Sequence, residues 1–181
     1  MSVALSSPVA RRPLHTRTLA MDCYLREDGL LEVEAHLRDT KPFALKMGGE
    51  RERPPGAPIH DMWLRLRLDD SLTILGVEAA MPTGAHDSCT GAVPAYEKLV
   101  GLQVGVGWVR EARHRVGVAA GCTHLTEMLH QMGTTAMQGF YGLRQQRRGP
   151  EASIEPIHPR LLDTCFGLRA GGEVDRLRSR R

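Results

Sequence analysis

Three segments of the chain carry residues that could bind a metal ion. His60 and Asp61 precede an alternating strand, Cys89 separates a predicted strand from a predicted helix, and Cys122 opens the longest predicted helix. Nitrogen, oxygen and sulfur donors together suit Zn(II), with Fe(II) less favoured. Element ends are common ligand positions, and a helix N-terminus favours the thiolate form of a cysteine. The residues alone also allow a structural interpretation, in which both thiols are small buried fillers and His60 a turn residue.

The segment after His60 alternates with the period of two that a half-buried strand requires. One face carries Met62, Leu64, Leu66 and Leu68, and the other carries Trp63, Arg65, Arg67 and Asp69. We therefore expect His60 and Asp61 at the entrance of a strand, held by the sheet but not buried in it.

The other elements predict an α+β domain, in which β-hairpins form one antiparallel sheet and helices pack on one of its faces. The predicted strands are 16–26, 30–38, 62–69 and 72–81; the predicted helices begin at Pro94, Val104 and Cys122, and a short one lies near Leu161. Asp28-Gly29 suits the first hairpin turn. The stretch from Thr40 to Pro58 is expected to be a long mobile loop beside the site.

Composition limits the classes of function. The 181 residues predict a disordered arm over 1–14, a single domain over 15–148 and a basic tail over 149–181, since nine Arg face five acidic residues from Arg144 onward. A net charge of +3 does not indicate a nucleic-acid partner. Four dispersed cysteines indicate no disulfide framework, and no apolar run is long enough to cross a membrane. We expect a cytoplasmic protein with a small-molecule substrate. The sequence leaves the oligomeric state open, and a homo-oligomer is one option.

The segment Gly56–Leu66 resembles the first ligand loop of the U-type (NifU-like) iron–sulfur cluster assembly scaffolds, which reads Gly-Ala-Pro-x-Cys-Gly-Asp before an alternating strand. The resemblance extends over about residues 56–140. In this resemblance His60 takes the place of the first cysteine ligand of the scaffolds, and Asp61 takes the place of their aspartate. Cys89 corresponds to the second cysteine ligand, and Cys122 corresponds to the third, at the start of the final long helix. It implies a NifU-like core and a metal site at the junction of sheet and helices.

Two departures from the scaffolds change the expected chemistry. Only two of the three thiols are kept, and the chaperone-docking segment Leu-Pro-Pro-Val-Lys is replaced by Val116–Ala120. The ligand set then resembles the His-Cys-Cys pattern of catalytic zinc with an open position. The chain also resembles a bacterial domain family of unknown function, through His15-x-Arg17, Arg26–Gly29, Asp39–Lys41, His60–Trp63 and Gly121–Leu125.

We therefore predict a small zinc-dependent lyase or hydrolase acting on an oxygenated small molecule, which can be aromatic. The metal ligands are His60, Cys89 and Cys122, with Asp61 as fourth ligand or partner of a ligand and His124 as general acid or base. His15, Arg17, Asp39, Lys41 and Trp63 are the predicted substrate-binding residues. The alternative is a non-catalytic scaffold for a metal or an iron–sulfur cluster.

Overall fold

Four strands form the central antiparallel sheet of the computed structural model, which describes residues 5–47, 52–149, 163 and 165–179. The strands are β1 (Thr16–Leu25), β2 (Leu31–Thr40), β5 (Pro58–Leu68) and β6 (Ile74–Thr83), in the spatial order β1-β2-β5-β6. The two predicted hairpins are present, and β2 pairs with β5 to join them into one sheet. The prediction of a mixed α+β fold with an antiparallel sheet is confirmed.

The two faces of the sheet differ in burial. The apolar residues of β2 and β5 that alternate in the sequence are fully or nearly fully buried: Leu31, Val33, Ala35, Leu37, Met62, Leu64, Leu66 and Leu68. The opposite face is polar, and Arg65 bonds there to Glu34 (2.6 Å) and Glu78 (3.0 Å). A one-sided core of this kind is usual for an antiparallel sheet covered on one face.

The segment between β2 and β5 contains more structure than predicted. Leu45–Lys46 (β3) and Glu52–Arg53 (β4) pair as a short antiparallel ladder. The Gly56 amide also donates to the Lys41 carbonyl (2.8 Å). The expectation of a loop without regular structure is therefore wrong for this part. Residues 48–51 lie outside the described part of the chain.

The helical elements follow β6. A 3₁₀ segment covers Asp87–Leu99, helix α1 covers Trp108–Val116 and helix α2 covers Thr123–Arg148. The predicted start of α1 at Val104 is wrong, since Val104 donates its amide to the Leu72 carbonyl (2.9 Å) before the helix begins. The helix predicted from Pro94 is the 3₁₀ segment. The long helix predicted from Cys122 is confirmed as α2.

Residues 1–136 and 137–181 are two compact units along the chain. In the second unit, α2 continues to Arg148, and a 3₁₀ turn (Phe166–Leu168) precedes helix α3 (Glu173–Ser179). Leu161, where a short helix is predicted, lies outside the described residues.

Candidate metal centre

Three adjacent strands place a row of polar side chains on the helix-facing side of the sheet. Arg17 of β1 is the cross-strand partner of Asp39 of β2, and Asp39 is the partner of His60 of β5. The period of two explains this placement, because Asp39 is in phase with Leu37 and His60 with Met62. A carboxylate therefore occupies the end of the buried stripe of β2, and Asp39 is 1% exposed.

Four contacts satisfy the buried carboxylate. Arg17 donates from Nε to Asp39 Oδ1 and from its terminal nitrogen to Oδ2, both at 2.8 Å, which is the bidentate geometry of a strong ion pair. His60 Nδ1 lies 2.8 Å from Oδ2, and His15 Nε2 lies 3.3 Å from Oδ1. Arg17 also donates to Glu127 Oε2 of α2 (3.2 Å).

The first turn of α2 brings a second imidazole to the cluster. The ring centroids of His60 and His124 are 4.0 Å apart, with an angle of 39° between the planes. Leu125, the next residue, is fully buried and fixes the orientation of this turn against the core. Asp39, His60 and His124 each offer a ligand atom, and these atoms all lie within 4.8 Å of one another.

The ionisation states favour metal binding. Burial would raise the pKa of Asp39, but the hydrogen bonds from Arg17 and His60 and the charges of Arg17 and His15 outweigh it and lower the pKa to about 2. The pKa of His124 is lowered by burial and by the positive charges of His60 and Arg17. At neutral pH the cluster thus holds an ionised carboxylate and a neutral imidazole at His124, the forms that coordinate metals.

Asp61 and Trp63 lie on the opposite, polar face of the sheet from His60. The carboxylate of Asp61 bonds to His36 Nε2 (2.8 Å), and the His36 ring stacks on Trp63 with centroids 3.8 Å apart. Neighbouring residues in a strand point to opposite faces, so Asp61 does not converge with His60. Trp63 lines a cleft that runs along the β6 edge of the sheet.

The two predicted cysteine ligands share a cavity of about 560 Å³ with Lys98 and small residues of 88–95 and 119–121. Cys122 Sγ lies 3.9 Å from His124 Nδ1, which places this thiol beside the cluster. The Tyr96 hydroxyl fixes the backbone here, because it donates to the Cys122 carbonyl (2.7 Å) and accepts from the Cys122 amide (3.1 Å). Neither cysteine joins His60 in a set of three mutually close ligand atoms within the described residues.

The remaining predicted site residues are divided between these places. His15, Arg17 and Asp39, predicted to bind substrate, surround or belong to the cluster. Lys41 follows β2 and contributes its carbonyl to the loop contact with Gly56. Sequence reasoning did not include Asp39 among the candidate metal ligands, and the signal for its place in the cluster was the continued alternation from Leu31 to Leu37.

The fold and the cluster define a small α+β domain with a carboxylate–histidine site at the junction of sheet and helix. The chain belongs to the DUF2889 family, described as proteins of unknown function, whose profile matches residues 15–138. No curated protein and no solved structure matches the chain. Among the described residues, no helix combines the length and apolar character needed to cross a membrane.

Proposed function

We propose that Asp39, His60 and His124 hold a zinc ion, and that the domain is a metalloenzyme of the lyase or hydrolase class acting on an oxygenated small molecule. The convergence of three ligand atoms within 4.8 Å, from two strands and one helix, carries this proposal. Two ligands of one tetrahedral zinc ion lie about 3.3 Å apart, so small side-chain rotations bring the set onto one ion.

Three protein ligands leave a fourth position open for water or a substrate oxygen. Zinc in such a site polarises a carbonyl or lowers the pKa of a bound water or alcohol to near neutrality. Arg17 holds both oxygens of Asp39 and therefore fixes the direction of the ligating carboxylate. Glu127, which is 51% exposed, accepts a hydrogen bond from the same Arg17 and so connects the carboxylate of Asp39 to α2.

Elemental analysis of the purified full-length chain tests the ligand set. We expect about one zinc per chain, in line with a three-ligand site, and losses of at least tenfold in zinc affinity for His60→Ala, His124→Ala and Asp39→Asn. His130→Ala is the matched control, because His130 is an exposed histidine of the same helix. Full zinc content together with unchanged zinc affinity in all three variants would refute the assignment.

The scaffold alternative has its own supporting observation, the cavity that Cys89 and Cys122 line together. A cluster-binding scaffold would show visible absorption after anaerobic reconstitution with iron and sulfide, and Cys89→Ser with Cys122→Ser would abolish it. Colourless protein with zinc that survives both cysteine substitutions favours the Asp39–His60–His124 centre. The two functions can therefore be distinguished by the visible absorption of the protein and by the substitutions that release the metal.

A further inference from the structure

The outer edge of β6 is open over most of its length. Its first residue is covered, since Ile74 donates to the Leu102 carbonyl (2.9 Å) and accepts from the Gly101 amide (2.8 Å). Beyond that point, across the described ranges 5–47, 52–149, 163 and 165–179, no backbone hydrogen bond joins residues 75–83 to anything other than β5. An open strand edge of this kind is a template for one more strand.

A cleft of about 460 Å³ runs beside this edge, between β6 and the 3₁₀ segment. Along β6 the lining side chains alternate. Val77 and Ala79 pair in register with Leu66 and Leu64 and share their helix-facing side, where Val93 of the 3₁₀ segment completes an apolar wall. A strand added to β6 would therefore meet small apolar residues at every second position.

The charged side chains of the lining are mostly acidic. Glu34, Glu78 and the single cation Arg65 lie on the polar face of the sheet, and Glu97 belongs to the 3₁₀ segment. The Arg65 guanidinium already bonds to Glu34 (2.6 Å) and Glu78 (3.0 Å). The lining as a whole carries an excess of negative charge, which favours a positively charged occupant.

Trp63 offers a further contact for a cation. His36 stacks on the indole with ring planes 7° apart and thereby holds it in place. The cross-strand neighbour of Trp63 on the edge strand is Ala80, whose small side chain leaves space beside the indole for a residue from a third strand. An ammonium or guanidinium group over a tryptophan face is stabilised by cation–π attraction.

We propose that this cleft binds an extended peptide that adds to β6 as a fifth strand. Lys or Arg at alternate positions faces Trp63 and Glu78, small apolar residues between them face Val77, Ala79 and Val93, and Glu97 adds to the negative charge of the lining. Because the cleft lining alternates with a period of two, it favours a peptide whose residues alternate between basic and apolar. The backbone groups at the outer edge of β6 supply the hydrogen bonds of the added strand. This surface is independent of the proposed metal centre.

Fluorescence anisotropy with three labelled octapeptides tests the proposal on the full chain. The first alternates Lys and Val, the second alternates Glu and Val, and the third is the Lys–Val peptide with every second amide N-methylated. We expect saturable binding of the first and affinities weaker by about tenfold or more for the other two, because one loses charge complementarity and the other loses strand hydrogen bonds. Absent binding of the first, or equal binding of all three, would overturn the proposal.

Variants locate the site. Glu97→Lys and Trp63→Leu should each weaken the affinity for the Lys–Val peptide by about fivefold or more. Glu97→Lys leaves the Arg65 ion pairs intact. Glu27→Lys, in the exposed turn between β1 and β2, is the charge-matched control and should bind as the unmodified chain does. An equal loss of peptide affinity in the control would show non-specific charge attraction and contradict the proposal.

Sedimentation velocity tests the other possible occupant of the edge, a second copy of the chain. A dimer that dissociates in the Glu78→Lys variant would assign the β6 edge to that second copy and overturn the peptide proposal.

Discussion

Asp39 and His60 face each other across β2 and β5, with Asp39 Oδ2 2.8 Å from His60 Nδ1. The two residues come from different hairpins, so the β2–β5 pairing that joins the hairpins also assembles the site. In the proposed metal centre an ion would take the place of this hydrogen bond, so metal binding would depend on the β2–β5 pairing.

The pH dependence of zinc affinity follows from the lowered pKa of His124. Because burial and the charges of His60 and Arg17 keep this pKa below 6.5, His124 is mainly neutral at pH 6.5 and above. Its protonation competes with zinc only as the pH falls through the lowered pKa. We expect protonation of His124 to weaken the affinity by less than about twofold between pH ~7.5 and ~6.5 and to weaken it more steeply below that, as measured by competition with a chromophoric chelator.

Half-protonation of His124 at or above about pH 6.5 would contradict this prediction, because that is the midpoint of a histidine with an ordinary pKa. The His130→Ala variant should reproduce the profile of the unmodified chain. A shifted profile in that variant would mean that an exposed histidine outside the cluster contributes to the titration.

Acid stability depends on Asp39. Its pKa is lowered from 3.8 to about 2 in the folded protein, so its contribution to stability is present above pH 3.8 and is lost as the pH falls toward 2. The shift corresponds to roughly 2 kcal/mol. In urea unfolding, the difference in stability between the unmodified chain and Asp39→Asn should shrink by roughly that amount from pH ~5 to ~2. A difference that stays constant with pH would show that Asp39 has an ordinary pKa.

The sheet, and the Asp39–His60 half of the site, can be predicted from the sequence. Alternation in β2 and β5 gives the buried face directly, and the same period puts Asp39 and His60 on that face and Asp61 on the other. A buried carboxylate requires partners, so the phase of Asp39 already signalled a polar cluster.

The other half of the site depends on tertiary contacts that local patterns do not encode. The helical period predicts α2, but the approach of His124 to His60 depends on where the chain between β6 and α2 places the helix start. The 3₁₀ segment, the hydrogen bonds of Gly101 and Leu102 with Ile74 of β6, and the Tyr96 hydroxyl lie along that connection. Each is a contact between residues that are distant in the sequence, and such contacts produce no periodic pattern from which they could be predicted.

Removal of the Tyr96 hydroxyl should loosen the start of α2. This oxygen contacts the Cys122 carbonyl, the Cys122 amide and the Thr126 hydroxyl within 3.1 Å, and the side chain is fully buried. Tyr96→Phe should cost about 1–3 kcal/mol in urea unfolding, because buried backbone groups lose a partner. It should also weaken zinc binding through displacement of His124. Thr126→Val, which removes one of the three contacts, should cost less.

Helix α2 contains two glycines that should respond to alanine in opposite directions. A Cβ on Gly133 would lie 2.5 Å from Trp108 Nε1 and 2.9 Å from two further ring atoms of that buried indole, whereas no atom of the described part of the chain lies within 4 Å of a Cβ on Gly142. Gly133→Ala should therefore destabilise the protein by about 1–3 kcal/mol through displacement of Trp108. Gly142→Ala should stabilise it by up to about 1 kcal/mol through helix propensity alone. Thermal unfolding of both variants checks the pair. Stabilisation by both would show that Trp108 can move aside at little cost, and that the packing of α1 against α2 tolerates a methyl group at Gly133.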